Sequence, residues 1–174
     1  MKVYLKQKFI TLWHGAFYVK DENDKSLFEI KNTKTVWFKL MVRDMEGNEF
    51  FMVKKRYFRF FSRFDICTPK GKLLFIIKRK FSFFTKKYKI IDKTKKDVVM
   101  TLNGDVWAWN FTLKCGEDAV AHFKKKLIAF VDTYEVDVVD DKSVPFAIAV
   151  MIALDGCHHS SSSNNNSKFN MFNS

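Results

Sequence analysis

One arrangement of apolar and charged positions occurs four times along this chain. An apolar residue precedes three mostly basic ones, then comes an aromatic or aliphatic residue, then another apolar residue three places on. The copies are Leu5-Lys6-Gln7-Lys8-Phe9 with Leu12, Val53-Lys54-Lys55-Arg56-Tyr57 with Phe60, Ile77-Lys78-Arg79-Lys80-Phe81 with Phe84, and Phe123-Lys124-Lys125-Lys126-Leu127 with Phe130. Seven residues past the central apolar position, the last three copies place Phe64, Tyr88 and Tyr134, followed two places later by Ile66, Ile90 and Val136. The first copy carries one extra residue and places Phe17 and Val19 there. Phe9 to Phe81 spans 72 residues, while Tyr57 to Leu127 and Trp37 to Trp107 each span 70. A fixed period marks an internal repeat, so residues 1–70 and 71–140 read as two versions of one unit.

Each unit predicts six strands. The first places them at about 3–10, 15–20, 26–31, 35–42, 49–58 and 63–68, the second at about 72–81, 86–92, 97–102, 106–113, 119–128 and 133–139. Turn signals separate them, among them Asp21-Glu22-Asn23-Asp24, Glu46-Gly47-Asn48, Pro69-Lys70-Gly71, Asn103-Gly104-Asp105 and Cys115-Gly116-Glu117-Asp118. Short strands at intervals of about a dozen residues argue for a sandwich or a barrel.

The pattern breaks at Val144–Leu154, which is apolar on every face. Pro145 suits a first helical turn, Ser143 a cap, and Asp155-Gly156 a stop. A helix of about 11 residues rises ~17 Å, whereas a bilayer's hydrocarbon core is ~30 Å thick. A helix apolar all round must be buried, and a closed barrel would bury it completely. The expected architecture is mainly β: a 12-stranded antiparallel β-barrel of two six-stranded repeats around a C-terminal apolar helix. Residues 1–157 are expected to form the barrel domain, with the central helix at 143–154. The Ser/Asn-rich residues 158–174 are expected to be a disordered tail.

Composition adds limits. The aromatic content of 17%, with 20 Phe, favours half-buried pleated surfaces. Cys67, Cys115 and Cys157 are too scattered for a disulfide framework and form no CxxC pair, so reduced thiols are expected. Lys6 and Lys8 interrupt any apolar run behind Lys2, so no signal peptide is expected. A cytoplasmic protein, peripheral at a membrane or nuclear, is the resulting expectation. Nucleophile motifs, HExxH, P-loops and dinucleotide turns are absent, and so is a calcium loop. Cys157-His158-His159 cannot close a tetrahedral metal site by itself, and His14 and His122 have no partner at ligand spacing. No enzyme activity, cofactor, metal or small-molecule substrate is therefore expected.

Charge points to a partner. Residues 1–90 hold 22 Lys and Arg against 8 Asp and Glu, whereas residues 91–174 hold 9 against 11. Such a gradient favours anionic partners. The candidate headgroup-binding residues are Lys54, Lys55, Arg56, Arg59, Arg63, Lys78, Arg79 and Lys80, in the two motif copies richest in charge. Alternation puts Lys54 with Arg56 and Lys78 with Lys80 on one face, and Lys55 on the other, beside Val53. The same residues also suit a plain solvating role on the outside of each repeat. Phe58, Phe60, Phe61 and Phe64 beside these arginines suit core packing, base stacking or a membrane surface.

The chain resembles the LURP-one-related family of the tubby C-terminal-like superfamily, to which phospholipid scramblases are similar. The resemblance covers roughly residues 1–156. It rests on Lys6-Gln7-Lys8-Phe9, Lys20-Asp21-Glu22-Asn23, Asp44-Met45-Glu46-Gly47-Asn48-Glu49, Asp132-Thr133-Tyr134-Glu135-Val136-Asp137 and the apolar helix ending in Asp155. It implies a 12-stranded barrel around a central helix and little biochemistry, but its tubby-type relatives bind phosphoinositides. Together with the basic charge of residues 1–90, this gives the expectation of a non-enzymatic module contacting anionic phospholipid, phosphoinositide above all. Its relatives also suggest a membrane-tethered transcription-related or protein-interaction factor, a role in which the basic face meets nucleic acid, or phospholipid scrambling. A scramblase-like calcium segment would need acids before Asp132, where Phe130 and Val131 stand. No Cys-rich stretch for palmitoylation is present.

Overall fold

The computed structural model describes residues 1–6, 16–33, 39–56, 63–80, 87–94, 98–105, 109–128 and 131–169. In chain order the strands are β1 (Lys2–Lys6), β2 (Ala16–Lys20), β3 (Ser26–Asn32), β4 (Lys39–Asp44), β5 (Glu49–Arg56) and β6 (Arg63–Cys67). The second repeat supplies β7 (Leu73–Lys80), β8 (Lys87–Asp92), β9 (Val98–Asp105), β10 (Asn110–Cys115), β11 (Asp118–Ile128) and β12 (Val131–Val138). Each pairs antiparallel with its chain neighbour, and β1 pairs with β12, so the sheet closes into a barrel without an edge. A 3-10 turn, Asp141–Ser143, leads into helix α1 (Val144–Phe169).

Strand alternation decides what fills the barrel. Leu5, Val53, Ile77 and Phe123, the first apolar residue of each motif copy, are all buried. So are Phe17, Phe64, Tyr88 and Tyr134, with Val19, Ile66, Ile90 and Val136 two places on. The fourfold motif therefore writes the inner face of the barrel. Helix residues Ala147–Asp155 are buried without a gap, in the centre of this shell. An all-round apolar helix finds no solvent there.

The helix enters where the short turns lie. Phe146 packs against Phe51 and Phe75, with ring centroids 5.9 and 4.9 Å away. Toward the opposite end, the Tyr134 hydroxyl donates to the buried Asp155 carboxylate. Gly156 meets Phe64 so closely that an added Cβ would lie 2.5 Å from the ring. This glycine gives the ring room rather than a stop to the helix. The helix runs on to Phe169, past the end predicted at 154 and into the segment expected to be disordered. Residues 170–174 lie outside the described residues. Among the described residues, no helix is long and apolar enough to cross a membrane.

Candidate anionic-ligand face

The outer face of β4–β8 carries the densest basic charge among the described residues. Register places Arg56 opposite Arg63, Arg63 opposite Lys78, and Lys78 opposite Lys89. Neighbouring strands are ~4.8 Å apart, so four cations stand in one row about 14 Å long. A second outer row runs beside it, Lys39, Lys54, Asp65, Ile76 and Ile91, each opposite the next.

Asp65 organises the centre. Strand alternation points it outward, yet it is only 1% exposed. Arg63 Nε donates to its Oδ1 at 2.7 Å and Arg56 Nε to its Oδ2 at 3.1 Å. One carboxylate thus answers two guanidiniums and holds them apart, where like charges directly opposite would repel. Lys39, Lys54, Lys78 and Lys89 make no ion pair among the described residues. Met41, Cys67 and Ile76 also take outward strand positions but are buried. Burial pushes the Cys67 thiol up from its ordinary pKa, against the pull of Lys54, Arg56 and Arg63.

The repeat supplies an internal control. Positions 70–72 residues away build the matching face across β10–β12, β1 and β2. There Lys126 stands opposite Thr133, and Thr133 opposite Lys6. Lys89 is matched by Tyr18, which is exposed. Glu135 replaces Asp65 and takes a 2.7 Å hydrogen bond from Lys126, which holds its carboxyl below the usual range. Met41, Met52 and Cys67 are matched by Thr112, His122 and Asp137. The inner faces of the two repeats agree position by position, whereas the outer faces do not. Packing the barrel therefore does not require the cationic row.

Of the residues singled out from sequence, Lys54, Arg56, Arg63 and Lys78 meet on this face. Lys55 does not. It stands on the inner face beside buried Val53, with Nζ 6.0 Å from the centroid of the Phe64 ring. Its repeat equivalent Lys125 does the same over Tyr134 at 5.1 Å. Both are cations over aromatic faces where the helix passes. Arg79 takes an inner strand position and Lys80 an outer one, and their side chains lie outside the described residues. Arg59 and the aromatics Phe58, Phe60 and Phe61 lie outside them entirely. Sequence reading missed Lys39 and Lys89. Each sits at an outer position of a strand that the repeat predicts, but only the pairing register brings it into line. Among the described residues no group of His, Cys, Asp and Glu could hold a metal ion. His122 hydrogen-bonds Thr112 at 3.0 Å on the opposite outer face.

Comparison with known proteins agrees with this architecture. A family model described as LURP-one-related matches residues 1–155. An uncharacterized protein of Bacillus subtilis (strain 168), YxjI, is 22% identical over 156 residues, covering 89% of this chain and 92% of that one. An Arabidopsis thaliana protein of known X-ray structure superposes with a TM-score of 0.59 at 15% identity, covering 88% of this chain and 91% of that chain.

Proposed function

From the premise that this chain belongs to the LURP-one-related family, we propose that it is a non-enzymatic binding module whose β4–β8 face docks on anionic phospholipid. The observation that carries the reading is the registered row Arg56–Arg63–Lys78–Lys89. Its repeat counterpart holds Lys126, Thr133, Lys6 and Tyr18, so the row is a departure from the duplicated plan rather than part of it. Four cations within about 14 Å suit phosphates presented side by side on a surface, and a polyphosphorylated inositol headgroup concentrates such phosphates. Lys78 and Lys89 bring charge that no carboxylate on the protein answers among the described residues. The buried helix weighs against scrambling, which needs that helix to leave the barrel.

Each basic residue near an anionic leaflet contributes about 1 kcal/mol, so Lys78→Ala with Lys89→Ala should weaken vesicle binding by ~2 kcal/mol, roughly 30-fold. Co-sedimentation with phosphatidylcholine vesicles containing phosphoinositide measures this. Lys124→Ala with Lys142→Ala, away from the face, should leave binding intact. Pelleting of the wild type that is equal on neutral and phosphoinositide vesicles at physiological salt would refute the proposal. Binding to duplex DNA with a steep salt dependence, and to no vesicle, would transfer the face to nucleic acid.

A further inference from the structure

One sector of the end where the helix enters is opposite in character to the cationic face, while the β6–β7 turn at that same end is basic, with Lys70 and Lys72. The β2–β3 turn, the β4–β5 turn and the approach to α1 (residues 21–25, 44–49 and 140–142) hold eight Asp and Glu against two Lys, in a chain of net charge +12. Lys20 and Lys6 answer Asp24, at 2.7 and 3.5 Å. Asp21 and Asp44 accept turn backbone N–H groups, from Lys25 and Asn48 at 2.9 and 2.7 Å. Glu22, Glu46 and Glu49 make no ion pair among the described residues and are exposed.

Exposed apolar side chains gather at this end as well. Met1, Met45, Phe50 and Val139 are four of the five large apolar residues exposed among the described residues. Between them runs a groove of about 270 Å³ with Leu27, Phe28, Met45 and Val144 in its walls. Glu46 and Asp141 stand at its rim with Lys25, and Asp141 faces the amino group of Met1 at 3.3 Å. The corresponding turn of the second repeat, Gly116-Glu117, offers no apolar side chain. The groove, like the cationic row, belongs to one side of the duplication.

We infer that this groove docks a basic protein segment through an apolar anchor residue, with Glu22, Glu46 and Glu49 receiving its lysines or arginines. Two other occupants are disfavoured on the same grounds. A second copy meeting end to end would oppose two acidic rims. A second copy offering its cationic face would bring no anchor, because Met41, Cys67 and Ile76 are buried there. An anionic bilayer would be repelled. With the basic face on a membrane, this end would remain free for a partner, although the inference does not depend on that reading.

The test uses fluorescence anisotropy with the full chain and a labelled 12-residue peptide of lysines, leucines and one phenylalanine. A glutamate-for-lysine version of the peptide is the control. The basic peptide should bind saturably, weaken with salt, and lose at least tenfold in affinity with Glu46→Lys or Met45→Glu. Both sites are exposed, so thermal melts should match the wild type. Lys78→Glu should leave peptide binding unchanged while reducing vesicle binding, which separates the two proposals. Equal binding of acidic and basic peptides, unaltered affinity in both groove variants, or no binding would overturn the inference. So would a concentration-dependent dimer in sedimentation that Met45→Glu abolishes, since the occupant would then be a second copy.

Discussion

Ile148→Asp is expected to abolish folding. Ile148 has no exposed surface and lies on a helix surrounded by the inner faces of the strands. Removing its side chain alone would cost roughly 2–5 kcal/mol by transfer and cavity formation. The introduced carboxyl adds the penalty of an unpaired charge in an apolar interior, several kcal/mol more after relaxation. Together these fall within the ~5–15 kcal/mol by which a domain is normally stable, so they consume most or all of that margin. Lowering the pH should lessen the damage, because burial raises the pKa of a carboxyl and the neutral form costs less. Circular dichroism of purified material reads the outcome. A soluble variant with the wild-type melting curve would show that α1 is not the core of this barrel.

The second large effect is expected from a single methyl group at Gly104. Gly104 lies opposite Phe111 where β9 pairs with β10. A Cβ built there would fall 2.1 Å from the backbone oxygen of Asn110 and 2.7 Å from Cα of Phe111. Backbone atoms in a closed sheet cannot rotate aside as a flexible side chain can, so the ladder must part locally. Overpacking of this kind costs ~1–3 kcal/mol in a core, and the upper end is expected because the obstacle is main chain. Gly104→Ala should therefore lower the melting temperature and speed amide exchange of β9 and β10. Gly116→Ala makes the contrast, since nothing lies within 4 Å of a methyl added there and only its φ of +62° resists the change. Equal stability of the wild type and Gly104→Ala would contradict the pairing of these strands.

The inner face of this protein is legible in its sequence because burial repeats with the strand period. Leu5, Val53, Ile77 and Phe123 recur at one offset, and so do the aromatics at Phe64, Tyr88 and Tyr134. The outer face is not written that way. Lys89 and Lys39 join the cationic rows only through cross-strand register, which no run of adjacent residues reveals. Lys55 is the exception, because local alternation alone turns it to the inner face beside Val53, and only its partner there, Phe64, comes from the pairing of strands. Asp65 reads as an ordinary acid between hydrophobic neighbours, and only the pairing of β5 with β6 gives it Arg56. Gly156 carries the opposite message in sequence, a stop, because its real partner Phe64 is 92 residues away. Long-range pairing is what local patterns omit.

The most direct test of the account asks which side of the duplicated barrel meets the membrane. An environment-sensitive fluorophore can be attached at Lys89→Cys, or at its repeat counterpart Tyr18→Cys, in chains whose Cys115 and Cys157 are serine. On addition of phosphoinositide vesicles, the probe at 89 should brighten and shift to the blue, and the probe at 18 should not. A shift at 18 alone, or the same shift at both, would mean that the row Arg56–Arg63–Lys78–Lys89 is not what holds the surface.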